Sequence, residues 1–254
     1  RAIQKWKNDK IIVGVDGGGL VEIDQNLVLR QVFQFNEDEI GTLNDNGIYD
    51  IFLDEEQRYW IATFGGGVNI YELNSPIFQL ISHELNNDNS LKNNYVRAFL
   101  EDSNGNWWFG TEKGVSHYNL KSKNWKHYFN TKQAPNVLGN NAVLSLCEDV
   151  DGDIWIGTYS GGVTQLNPKT GVTQTFRRDN RNPSSLGTNF IYSIFKDKDN
   201  QLWFGGIRGQ LTQYDKATNT FKRHEVQGVF DINDKGWGNT HFFAGIKRVI
   251  NRLF

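Results

Sequence analysis

The sequence predicts an all-β chain folded as a β-propeller of four-stranded antiparallel blades, and three observations predict it. A unit of about 48 residues recurs five times and opens a sixth copy. Each copy carries a short apolar run centred on a tryptophan or its replacement, and small turn residues, most often glycines, follow that run. A lone four-stranded sheet is marginal and buries its two faces only against copies of itself, so units of this length without helices form propellers.

The clearest lines are Tyr59-Trp60-Ile61-Ala62-Thr63, Trp107-Trp108-Phe109-Gly110-Thr111, Ile154-Trp155-Ile156-Gly157-Thr158 and Leu202-Trp203-Phe204-Gly205-Gly206. Their tryptophans stand 48, 47 and 48 residues apart; one step back meets Ile12, and a shortened step of 39 forward meets Phe242. Six residues before the tryptophan comes Asp54, Asp102, Asp149 or Asp197, and fourteen before it Asn46, Asn94, Asn141 or Asn189. Seven or eight after it an aliphatic opens the next run: Val68, Val115, Val163, Leu211, with Leu20 and Ile250 in the outer copies.

Each unit therefore reads as four strands. Strand A, such as 143–147, ends at the aspartate turn. Strand B holds the tryptophan, and the glycine turn leads to strand C, such as 68–71. A second turn leads to strand D and its aromatics, among them Phe78, Trp125, Tyr128, Phe176 and Phe221. The blades are expected at about 1–48, 49–95, 96–143, 144–190 and 191–228, with a partial sixth at 229–254. A large flat side chain recurring once per blade is expected to fill the gap between adjacent sheets. The Gly or Ala two residues later is expected to leave room for it.

Composition narrows the function. A net charge of −2 and a pI near 6.2 give no field for gathering nucleic acid. Cys147 is the single cysteine, so neither an intrachain disulfide nor a cysteine metal site forms. No apolar run approaches the ~20 residues of a membrane span. The chain contains no Met and begins at Arg1, which reads as a piece of a longer protein. Ending in an incomplete sixth copy, it is expected to form an open ring with apolar blade faces at its ends.

The pattern Asp, turn, Trp-Ile-Gly-Thr, Gly-Gly-Val resembles the two-component regulator propeller repeat. Asp149-Val150-Asp151-Gly152-Asp153-Ile154-Trp155-Ile156-Gly157-Thr158 with Gly161-Gly162-Val163 is the fullest copy. The resemblance covers essentially the whole chain. It implies a segment of the periplasmic sensor of a membrane-anchored hybrid two-component histidine kinase, in which seven-bladed propellers bind a carbohydrate breakdown product and control glycan utilisation genes. It also implies a parent able to pair as a homodimer through its other domains. The departures are six copies instead of the expected blade number, Ile12 and Phe242 in place of Trp, and Gly206 in place of Thr.

Other constellations weigh less. Asp149-Val150-Asp151-Gly152-Asp153 looks like the start of a calcium loop, but the twelfth position is Ser160 and the other copies lack the ligands. It also brushes the Asp-box of sialidase propellers without an arginine cluster to serve it. These turns are expected to bond their own backbone. His83, His117, His127, His224 and His241 do not converge, and no nucleophile elbow or phosphate loop is present. No catalytic residue, metal or cofactor is therefore assigned. The repeated asparagines are expected to cap the turns entering strand A.

Residues that break the pattern lie in the B–C loops: Phe64, Glu112-Lys113, Tyr159-Ser160 and Ile207-Arg208. These loops and the blade linkers share one face of a propeller, where repeat proteins place specificity. Tyr159, Arg208, Lys113 and Phe64 are the candidate contacts for an oligosaccharide or other small carbohydrate, which stacks on aromatic rings and bonds charged groups. A protein-interaction scaffold using the same face and, behind it, a propeller lyase are the alternatives.

Overall fold

The structure, a computed structural model, describes residues 1–72, 75–134, 137–207 and 210–224. The sixth copy, with Phe242 and Ile250, and the candidate contact Arg208 lie outside the described residues. The chain divides into two compact units, Arg1–His127 and Tyr128–Phe254.

Five four-stranded antiparallel sheets are present, each in the simple order A, B, C, D. The first holds β1 (Ala2–Lys5), β2 (Ile11–Val15), β3 (Gly19–Ile23) and β4 (Leu29–Phe33). The second holds β5 (Ile48–Leu53), β6 (Arg58–Thr63), β7 (Val68–Glu72) and β8 (Ser75–Ile81), and the third β9 (Val96–Glu101), β10 (Trp107–Thr111), β11 (Gly114–Asn119) and β12 (Asn124–Tyr128). The fourth is β13 (Val143–Glu148), β14 (Ile154–Thr158), β15 (Val163–Leu166) and β16 (Thr173–Phe176); the fifth is β17 (Ile191–Lys196), β18 (Leu202–Gly206), β19 (Leu211–Asp215) and β20 (Thr220–His224). These are the four-stranded blades of a β-propeller, as the repeat predicts.

The core lies between blades. In the first unit Trp60 of the second blade stacks on Trp107 of the third, ring centroids 3.9 Å apart. In the second unit Trp155 packs against Tyr214 and Phe204 of the fifth blade at 4.7 and 5.5 Å. Trp60, Trp108 and Trp155 are buried, and Trp203 is half-buried. Trp60 and Trp155 fill the gap between adjacent blades as expected; the small residue after the tryptophan has a different role. A Cβ at Gly157 would stand 2.2 Å from Ser145 Oγ and 2.7 Å from Ile191 Cγ2. At Gly14 it would stand 2.5 Å from Ile48 Cγ2. The small residue thus admits strand A of the next blade, not the tryptophan beside it.

Both hairpin ends are closed by side chains. Asp102 Oδ1 accepts the Asn104 and Asn106 N–H groups at 3.0 and 2.9 Å, and Asp149 and Asp197 treat their turns alike. At the other end Thr63, Thr111 and Thr158 are buried, and their hydroxyls donate to the carbonyls of Gly67, Gly114 and Gly162. The last glycine of this turn has φ of +78° to +83° in Gly19, Gly67 and Gly162, and a Cβ there would lie 2.1–2.4 Å from the carbonyl oxygen of Phe33, Ile81 or Phe176. Only glycine fits.

Candidate functional site

The linkers entering the second to fifth blades are built from three columns. A leucine (Leu43, Leu91, Leu138, Leu186) is buried as a plug. Two residues on, Asp45, Asn93, Asn140 and Thr188 accept the N–H two positions later, at 2.6, 3.1, 2.8 and 3.2 Å. The asparagines follow. Asn46, Asn94, Asn141 and Asn189 accept the backbone N–H of Phe35, His83, Asn130 and Arg178, eleven residues earlier in every case. They hold the far end of the linker loop rather than a local turn.

These linkers are bonded directly to the B–C loops. The Asn46, Asn94 and Asn189 carbonyls accept from Gly19, Gly67 and Gly162 at 2.8–2.9 Å. One residue further along each chain, Phe64 N–H donates to Gly47, Glu112 to Tyr95 and Tyr159 to Ala142. Linkers and B–C loops therefore form one surface in each unit, the surface the sequence selected. The opposite hairpins are occupied with their own backbone.

On the first unit, Phe64 is 45% exposed and stands edge-on to Tyr95, itself 40% exposed, with centroids 5.0 Å apart. Tyr49, in strand β5, also lies 5.6 Å from Phe64. The Arg1 and Arg97 guanidiniums stand 4.5 and 5.1 Å from the Tyr49 ring centre, a cation–π arrangement. Arg97 is ion-paired with Glu112, and Arg1 with Asp16. Lys113, next to Glu112, is exposed, and its N–H is held by Thr111 Oγ1 at 3.1 Å. The structure thus brings Phe64 into an aromatic group.

Tyr159 belongs to the second unit. It is 50% exposed and stands edge-on to Phe190 at 5.1 Å. The pairs Phe64–Tyr95 and Tyr159–Phe190 occupy the same repeat positions, so two blades use one device: a loop aromatic braced by a linker aromatic.

Tyr49, Tyr95, Arg97 and Phe190 escape the sequence reading, which treats strand A and the linker as regular. The signal exists nonetheless. The second residue of strand A reads Tyr49, Arg97, Leu144 and Tyr192, a change of chemical class at each blade within an otherwise apolar column.

No group of three or more His, Cys, Asp or Glu among the described residues is placed to hold a metal ion. His117 sits on strand C, stacked 4.1 Å from Trp108. His127 and His224 sit on strands D, and His83 lies in a linker with its Nδ1 2.7 Å from the Leu91 carbonyl. Burial pushes His117, His127 and His224 below the ordinary histidine value. Burial also pushes the Cys147 thiol up to about 11, which keeps it inert. No helix among the described residues is long and apolar enough to cross a membrane.

Comparison with known proteins agrees with this architecture. Residues 42–65, 90–113, 137–160 and 185–208 each match the two component regulator propeller family, and each match runs from the linker leucine to the B–C loop. The extracellular domain of BT3049 from B. thetaiotaomicron, assigned to a hybrid two component system, superposes with TM-score 0.73 at 19% identity over 87% of this chain and 29% of that one. That of BT4673 from the same organism gives 0.68 at 24% identity over 89% and 27%. This chain therefore spans little more than a quarter of those domains. Virginiamycin B lyase from Staphylococcus aureus gives 0.64 at 10% identity over 90% of this chain and 70% of that one. No curated protein matches the chain. Sequence motif and blade geometry converge: the chain is a segment of β-propeller blades, four of which carry the two component regulator propeller repeat.

Proposed function

We propose that this segment belongs to the periplasmic, ligand-sensing region of a membrane-anchored hybrid two-component sensor, and that it binds a carbohydrate-type signal controlling glycan utilisation genes. The observation that carries the reading is the surface of B–C loops and linkers. Its repeated residues are consumed in holding the blades, while Phe64, Tyr95 and Tyr159 present exposed rings that the fold does not bury, Tyr159 being braced by the half-buried Phe190. An exposed ring braced edge-on is a platform for the apolar face of a sugar, at small entropic cost because the ring is already fixed. Lys113 and Arg208 complete the proposed contacts.

The likeness to a lyase favours catalysis less. Among the described residues no histidine stands on a strand A or in a B–C loop to act as an acid or base.

The test is binding by the full-length sensor to a panel of oligosaccharides. Tyr159→Ala is expected to weaken binding by about 1–3 kcal/mol, the usual cost of a lost aromatic anchor. Its unfolding midpoint should stay close to wild type, since the ring is half in solvent. Unchanged affinity in both Tyr159→Ala and Phe64→Ala, with ligand bound against the aspartate hairpins, would move the site to the other face.

A further inference from the structure

In strands β5, β9, β13 and β17 the ladder to strand B skips one residue: Tyr49, Arg97, Leu144 and Tyr192. The skip falls at the same place in all four blades, at the end nearest the B–C loop. A β-bulge leaves its extra residue unpaired and re-aims its side chain, and bulges concentrate beside functional sites. In the first unit both bulged side chains reach the loop surface. Tyr49 meets Phe64, and Arg97 meets Glu112 and the Tyr49 ring. Backbone that repeats faithfully thus delivers a different chemical group from one blade to the next.

The cations of this cluster are already paired. Arg1 and Arg97 face Asp16, Asp45 and Glu112, and both arginines are already ion-paired. Asp45 belongs to the same group: a Cβ at Gly65 would lie 3.5 Å from its Oδ2 and 3.8 Å from the Tyr95 ring. An anionic ligand would have to displace Glu112 or Asp16 and would meet three carboxylates without a net attractive field. A hydroxyl group has no such conflict. It accepts from a spare guanidinium N–H and donates to the paired carboxylate, leaving the ion pair in place.

Resting on the carbohydrate reading above, we infer that the bulged residues Tyr49 and Arg97, with Phe64, Tyr95 and Glu112, set the specificity of the first unit's site, and that this site takes an uncharged sugar ring. The ring's apolar face lies on the exposed aromatics, and its hydroxyls meet the Arg97–Glu112 pair.

Calorimetric titration of the 254-residue chain with cello- and manno-oligosaccharides, as neutral probes, and with oligogalacturonides, as acidic ones, tests this. The expected result is binding of a neutral probe, weakened tenfold or more by Tyr49→Leu and by Arg97→Met. Glu112→Gln is expected to raise oligogalacturonide affinity, because it removes one carboxylate and frees Arg97. This isosteric change carries the test if either other substitution unfolds its blade. Tighter binding of oligogalacturonides than of neutral probes by the unmodified chain overturns the ligand class and leaves the carbohydrate reading standing. Neutral binding untouched by all three substitutions overturns the location. Failure of the chain and of the full-length sensor to bind any sugar overturns the carbohydrate reading itself.

Discussion

The tryptophan that recurs once per blade on strand B ends on a carboxylate, whereas its neighbour Trp107 keeps a buried indole N–H without a partner. The indole N–H groups of Trp60, Trp108, Trp155 and Trp203 donate to Asp54, Asp102, Asp149 and Asp197 at 2.7–2.9 Å. One aspartate thereby closes its hairpin with one oxygen and satisfies the indole with the other, which a buried donor requires. The first blade reverses the arrangement. Ile12 stands where the tryptophan is expected, and Trp6 occupies the aspartate column. Trp6 is fully buried, packs 4.2 Å from Tyr59 and 5.1 Å from Tyr71, and donates to Glu22 at 2.7 Å. Indole and acid are both kept while their positions change. Trp155→Ala is expected to cost about 3–5 kcal/mol, as for other buried large aromatics. Asp149→Ala should cost about 2–3 kcal/mol, since it removes charge-assisted bonds and orphans an indole N–H. The two losses share one bond, so the double variant should fall short of their sum by roughly 1–2 kcal/mol. Urea unfolding of the four proteins measures this, and strict additivity would separate the two residues.

At the scale of the element, the linker shows what a sequence displays and what it hides. The asparagine column is visible from its spacing alone. Its partner is not, because the bond runs eleven residues back to a backbone group that carries no side-chain signature. The strand-C residues Asn69, Ser116 and Thr164 are likewise buried and polar because they accept the N–H of Asn44, Lys92 and Gly139 about two dozen residues away. A polar residue in a core strand reads as an exception until that partner is located. The fifth blade tests the logic from the opposite side. Gly206 replaces the buried threonine, and a Cβ there would lie 2.0 Å from Cγ2 of Thr188. The second, third and fourth blades have the unbranched Asp45, Asn93 or Asn140 at that linker position and keep Thr63, Thr111 or Thr158 on strand B, so the fifth blade's linker methyl takes the space of the missing side chain. Gly206→Thr alone is therefore expected to destabilise by about 1–3 kcal/mol, the usual cost of overpacking. Adding Thr188→Asn should recover part of it, and thermal unfolding of the single and double variants decides. A double variant no more stable than Gly206→Thr would deny that the methyl fills that space.

For the molecule as a whole, repetition made the architecture legible, and the breaks in repetition made the site only partly so. Phe64 and Tyr159 stood out because they interrupt a small-residue turn. Tyr49 and Arg97 did not, because a bulge is invisible to a period-two pattern and it alone turns them toward the loops. The histidines give the last property, which is spread over blades in both units. His117, His127 and His224 are held below the ordinary histidine value chiefly by burial, so the folded state binds a proton less readily than the unfolded chain. The sign follows directly. Above the unfolded value of about 6.5 neither state is protonated and the neutral rings stabilise nothing extra to lose. As pH falls through that value the unfolded chain takes up protons first, and stability declines until the folded pKa is passed. His117 should contribute most visibly, because its Nε2 is buried without a partner and a second proton would have nothing to bind. Strands β15 and β19 place Gln165 and Gln213 opposite Trp155 and Trp203, at the position His117 holds opposite Trp108. His117→Gln therefore imports a side chain the repeat already uses there. Melting temperatures at pH 7.5 and 5.5 should show a fall for the unmodified chain and a smaller fall for His117→Gln. Equal falls in the two proteins would remove His117 from the acid response.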